Sequence, residues 1–134
     1  MRRSACLLIT LVVCASVFLC TGCSKPYIPR GERLPEGFLI NCYPNTVCTR
    51  ADSTPLPNKK TQQTVVLMGD DDVDKVVSWY KTELLTKGFM VLSDQKTKGS
   101  QTLESQSDDT HVSITSSAID KKTIISISVY PKPR

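Results

Sequence analysis

Apolar residues are distributed along this chain in three ways, and each predicts a different kind of structure. From Ala5 to Cys20 they form an uninterrupted run, ACLLITLVVCASVFLC, without a charge. Between residues 24 and 63 they are sparse and show no period. From Thr64 onward they recur with regular spacing. Thr64-Val65-Val66-Leu67-Met68 is β-branched and apolar and ends at Gly69, which predicts a strand. Val73, Val76, Val77, Tyr80 and Leu84 then recur at i, i+3, i+4, i+7 and i+11, placing all five on one face of a helix. Asp70-Asp71-Asp72 precede that helix, and acids there cap its free amides and complement its dipole. Gly88 is placed to stop it in the left-handed conformation.

Everything after Gly88 reads as strands. Phe89-Met90-Val91-Leu92 is one, and Gln101 to Gln106 is a second, set between turns at Lys98-Gly99 and Ser107-Asp108-Asp109. His111 to Ser117 alternates, with Val112 and Ile114 on one face and His111, Ser113 and Thr115 on the other. Thr123 to Tyr130 alternates as well, Ile125, Ile127 and Val129 against Ser126, Ser128 and Tyr130. The expected fold class is α+β, ordered β-α-β-β-β-β. It is a twisted antiparallel sheet with one main helix on its apolar face and the other face left polar. This domain spans 64–131.

The stretch from Pro55 to Val91 resembles small exported α+β proteins of uncharacterised function. In these a strand is followed by a helix reading V-x-x-W/F-Y-x-x-x-L-x-x-x-G-F/W and then by hairpins. Val76, Trp79, Tyr80, Leu84, Gly88 and Phe89 match that pattern. The motif is mostly packing, so the resemblance implies a fold and no activity.

The segments ahead of the domain have another character. Arg2-Arg3 stand before the apolar run, and small residues follow it, which is the grammar of a secretory signal peptide over 1–22. The run ends Leu19-Cys20-Thr21-Gly22-Cys23-Ser24, and Thr21, Gly22 and Cys23 resemble the lipobox of bacterial lipoprotein precursors. Cys20 stands where that pattern usually has Leu. The resemblance implies cleavage before Cys23, acylation of its thiol, and anchoring to membrane lipid. Ser24 after the cysteine implies sorting to the outer membrane, facing the periplasm, by the enteric-type rule. Two other readings of the same residues are a cleaved soluble form and an uncleaved anchor, since Ser4–Ser24 is uncharged and about 20 residues can span a bilayer.

Residues 24–37, SKPYIPRGERLPEG, hold three prolines and two glycines among charges. With Cys23 they read as a flexible tether over 23–37, able to hold a domain up to about 40 Å from its anchor at about 3 Å per residue. Residues 38–63 read as an irregular segment. Cys42 and Cys48 lie in it, the pair left from the six cysteines once Cys6, Cys14 and Cys20 depart with the signal and Cys23 takes lipid. Export favours a structural disulfide between them, worth about 2 kcal/mol on the chain-entropy model. The C-x-x-C spacing of a thiol oxidoreductase is absent.

Charge adds little. The 134-residue chain carries 17 basic and 13 acidic residues, and loss of Arg2 and Arg3 lowers its +4 to about +2. Nucleic-acid binding would need a concentrated basic stripe, so it is not expected. One histidine, His111, argues against a metal site, and three consecutive acids entering a helix do not make a calcium loop.

Candidate chemistry is correspondingly thin. His111 has Asp108 and Asp109 close by in sequence and hydroxyls on its own strand face, which invites a general-base reading. No G-x-S-x-G elbow accompanies it, and no catalytic residue or cofactor is expected. Trp79 lies about 100° round the helix from Tyr80, at the margin of the apolar stripe. If exposed there, it is a natural contact for a partner. The sequence thus predicts a non-enzymatic, lipid-anchored envelope protein whose small domain binds another envelope component, most plainly a protein. The alternatives are a cell-envelope hydrolase using His111, or an inhibitor inserting a protruding Cys42–Cys48 loop into another enzyme.

Overall fold

The computed structural model describes residues 25–132. The apolar run Ala5–Cys20 and the lipidation candidate Cys23 lie outside them. Among the described residues no helix is long and apolar enough to cross a membrane.

Seven strands and one α-helix make up the domain. In chain order they are β1 (Arg30–Gly31), β2 (Val47–Pro55), β3 (Thr61–Gly69), α1 (Val73–Thr86), β4 (Met90–Thr97), β5 (Ser100–Gln106), β6 (Thr110–Ile119) and β7 (Lys122–Pro131). All seven strands join one open sheet in the order β1-β2-β3-β7-β6-β5-β4. The two-residue β1 runs parallel to β2, and every other pair is antiparallel.

One face of the sheet is the core. The register sets Val65 of β3 beside Ile127 of β7, Ile127 beside Ile114 of β6, and Ile114 beside Leu103 of β5. All four are essentially without exposure, and burial of such side chains contributes roughly 1.5–3 kcal/mol each. Helix α1 lies across this row, burying Val76, Val77, Tyr80 and Leu84. The Asp72 carboxylate accepts from the Lys75 amide at 2.9 Å and so caps the helix start. Its end is a Schellman turn. The Phe89 amide donates to the Leu84 carbonyl at 2.9 Å and the Gly88 amide to that of Leu85 at 3.0 Å, with Gly88 at φ +81°. Ion pairs Lys81–Asp94 and Lys96–Asp74 tie the exposed flank of α1 to β4.

The α+β class and the single helix on an apolar sheet face are as the pattern predicts, but the sheet is larger than expected. Two strands precede the predicted set, and β3 begins at Thr61 rather than Thr64. Strand β2 falls inside the segment read as irregular. Its sequence, VCTRADSTP, does not alternate because β2 is near the sheet edge and most of its side chains stay in water on both faces.

Residues 27–37 also depart from expectation, since they do not hang free as a tether. Strand β1 pairs with β2, Pro29 is buried, the Tyr27 hydroxyl donates to the Thr46 carbonyl at 2.9 Å, and the Gln63 side-chain Nε2 donates to the Glu36 carbonyl at 2.8 Å. The chain then returns as an irregular strap over 38–46, with Ile40, Cys42 and Tyr43 buried against the flank of α1. Proline and glycine here shape a fitted segment, not a loose one.

Candidate functional site

Strap and helix meet around Trp79. The helix sets this side chain at the edge of its apolar stripe, and the strap half-covers it. Its ring lies 5.4 Å from that of Tyr43 and 4.9 Å from that of Tyr80, edge-on to both, an arrangement favoured by the ring quadrupoles. The remaining surface of Trp79 forms part of the wall of a groove of about 330 Å³. Lys25, Pro26 and Tyr27 line one part of it, Asn41, Cys42 and Pro44 of the strap another, and Trp79, Thr82, Glu83 and Thr86 of α1 the rest. Half of this lining is polar or charged and the rest is aromatic, proline or cysteine, which makes the groove a candidate binding cleft. Trp79 was legible as a marginal helix residue; the opposite wall was not, because it comes from a segment without periodicity.

Hydrogen bonds fix the strap side of this site. The buried Tyr43 amide donates to the Tyr80 hydroxyl at 3.0 Å, and the Tyr43 hydroxyl donates to Asp71 at 2.7 Å. Burial, and then the neighbouring Asp71 carboxylate, push the Tyr43 phenol up to about 12, and burial likewise raises Tyr80 well above its ordinary value. The Tyr43 hydroxyl and Lys75 hold Asp71 below the usual carboxylate range.

These shifts set the pH dependence. Tyrosine and cysteine side chains here ionise more readily in the unfolded chain than in the fold. Their stabilisation is complete below the unfolded pKa values, near 9 for Cys42 and 10 for Tyr43, and is lost as pH rises toward 12. Asp71 acts in the opposite sense, contributing above its unfolded value of 3.8 and losing that contribution on acidification. Urea midpoints of the reduced protein are therefore expected to fall between pH 9 and 12, and less so in Tyr43→Phe. A flat midpoint across that interval would contradict this account.

Cys42 and Cys48 are both buried and stand as free thiols in this structure. Burial, and then the nearby Cys48, push the Cys42 thiol up to about 12, and burial raises Cys48 too. Groups so far from thiolate at neutral pH are poor nucleophiles, so the folded, reduced pair is not poised for a catalytic redox cycle. Their loop does not protrude. Cys42, Tyr43, Thr46 and Cys48 are buried and only Asn45 and Val47 are exposed, so the inhibitor reading lacks the projecting loop it requires.

The far face of the sheet carries His111. Its carboxylate partner is Glu104, not Asp108 or Asp109: Nε2 of His111 lies 2.6 Å from Glu104 Oε2. The Ser113 hydroxyl donates to the other carboxylate oxygen at 2.7 Å, and Tyr130 stacks on the imidazole at 4.7 Å. Hairpin register holds the signal for Glu104, because a turn at 107–109 sets residue 104 opposite 113 and residue 106 opposite 111. In this trio the carboxylate sits between imidazole and hydroxyl. A hydrolytic triad needs the imidazole between them, so His111 is not placed to activate Ser113. Among the described residues no cluster of three or more metal-ligating side chains occurs.

A family model described as START domain-like matches residues 49–123, which is more than half of the chain. The match takes in most of β2, all of α1 and the start of β7, while the strap over 38–46 falls outside it. No curated protein matches the sequence.

Proposed function

The chain belongs to the START domain-like family, and from that premise and the groove beside Trp79 we propose a non-enzymatic binding module, lipid-anchored in the bacterial envelope. Cys23 carries the acyl group, the apolar run Ala5–Cys20 is its export signal, and the outer membrane facing the periplasm is its destination. In that oxidising compartment Cys42 and Cys48 close a structural disulfide. The groove receives an extended segment of another envelope protein. One observation carries this reading: Trp79 is held edge-on by Tyr43 and Tyr80 and so presents a fixed aromatic surface to the cleft. Anchors ordered before binding cost less to immobilise, and tryptophan is the residue type most often dominant in interfaces.

A hydrolase using His111 is the second reading, favoured by its 2.6 Å pairing with Glu104 and disfavoured by the position of Ser113. In-cell crosslinking of the full-length protein separates the two. Wild type is expected to capture one dominant envelope protein, and both Trp79→Ala and Thr82→Arg to lose it while staying in the membrane fraction. Thr82 is exposed in the groove, so its variant blocks the cleft and leaves the core intact. Equal capture by wild type and both variants, or none by any, sinks the groove reading.

A further inference from the structure

Three of the large apolar side chains that stand in water lie within eight residues of one another at the corner where α1 turns into β4. Leu85 is 64% exposed, Met90 57% and Leu92 48%. Strand β4 is the last strand on its side of the sheet, and its ladder with β5 breaks between Val91 and Ser93, so Leu92 has no partner in it. Such a bulge interrupts the regular edge that a foreign strand would extend. The corner is therefore badly suited to strand addition, yet it is apolar.

The path of the chain says what covers it. Lys25 shares the groove with Thr86, and Thr86 is the last residue of α1, adjacent to Leu85. Cys23 is two residues before Lys25, which is at most about 7 Å of extended chain. Because residues 27–37 are packed on the domain, no long tether separates the anchor from this end of the molecule. We propose that the α1–β4 corner rests on the bilayer that holds the lipid of Cys23, with Leu85, Met90 and Leu92 entering its interfacial region. The proposal rests on the anchoring reading above. A lipid so close to the corner holds it at high effective concentration near the membrane, so a small apolar contact suffices to fix the domain's orientation.

The full-length protein, purified with its lipid and placed in phosphatidylethanolamine vesicles containing a minority of phosphatidylglycerol, tests this. Trp79, the single tryptophan of the chain, is the probe, and brominated acyl chains are the quencher. Wild-type emission is expected to fall about twofold in brominated vesicles, as for a ring near the interface. Leu85→Ser/Met90→Ser/Leu92→Ser should lose most of that quenching and still float with the vesicles, since all three side chains are already exposed and the anchor is untouched. Unquenched wild type that floats would overturn the docking and leave the anchor standing. Equal quenching in the triple variant would overturn the corner as the contact. A crosslinked dimer of wild type that the triple variant loses, without quenching, would assign the corner to a second copy. Failure to float, with an unmodified mass at Cys23, would overturn the anchor itself.

Discussion

Tyr80→Ala is expected to destabilise the domain by about 4 kcal/mol, a large part of the 5–15 kcal/mol that small domains typically have. Tyr80 is the largest fully buried side chain, and it works twice. Its ring fills the space between sheet and strap, beside Trp79 and Tyr43. Its hydroxyl accepts the buried Tyr43 amide, the bond that seats the strap on the helix. Tyr80→Phe separates the two roles. The ring stays, the Tyr43 amide loses its partner, and the expected cost is about 1–3 kcal/mol. Urea denaturation of both variants reads the difference. If Tyr80→Phe matched wild type, the strap amide would have found another acceptor and the hydroxyl would be irrelevant to stability.

Gly31→Ala should act more locally and still be severe. Gly31 has φ +100°, and a Cβ there would stand 2.2 Å from the Cys48 carbonyl oxygen. Neither backbone can yield without parting β1 from β2. The expected result is an unlatched N-terminal segment on an intact sheet. Exchange of the Glu32 amide, bonded to that same carbonyl at 2.9 Å, should quicken by about a hundredfold, as for a locally opened segment. Amides of β6 and β7 should keep their protection. Gly37→Ala is the control. Gly37 also has positive φ, but a Cβ there meets nothing within 4 Å, so only the left-handed backbone cost of about 1–2 kcal/mol applies. If both variants behaved alike, the close approach at Cys48 would not be what requires glycine.

What could be read from the sequence follows from how each element is buried. Helix α1 has one face on the sheet and one in water, so its period was plain, and Asp72 and Gly88 marked its ends. Strands β6 and β7 lie inside the sheet with one apolar and one polar face, and their alternation was equally plain. Strand β2 has no such contrast, because it lies toward the edge and is largely exposed. The strap was harder still. Ile40, Cys42 and Tyr43 are buried through one irregular passage over α1, and a single passage has no period to detect. The same difference divides the candidate site. Trp79 could be placed from helical spacing, whereas the wall opposite it, from Lys25 to Tyr27 and from Asn41 to Pro44, exists only once the strap has folded back. Glu104 was missed for a different reason. The alternation of β5 is faint, with serine and glutamine on both faces, and only the hairpin register brings the carboxylate to His111.

Strand β7 is the latest of the seven along the chain and yet lies in the middle of the sheet, between β3 and β6. Until β7 (Lys122–Pro131) has been synthesised, the sheet is two separate halves, each with an apolar inner edge and neither able to close the core. Such a chain cannot close its core before β7 has been made. The same arrangement makes the molecule intolerant of truncation near residue 123, because the cut removes β7, the keystone of the whole sheet.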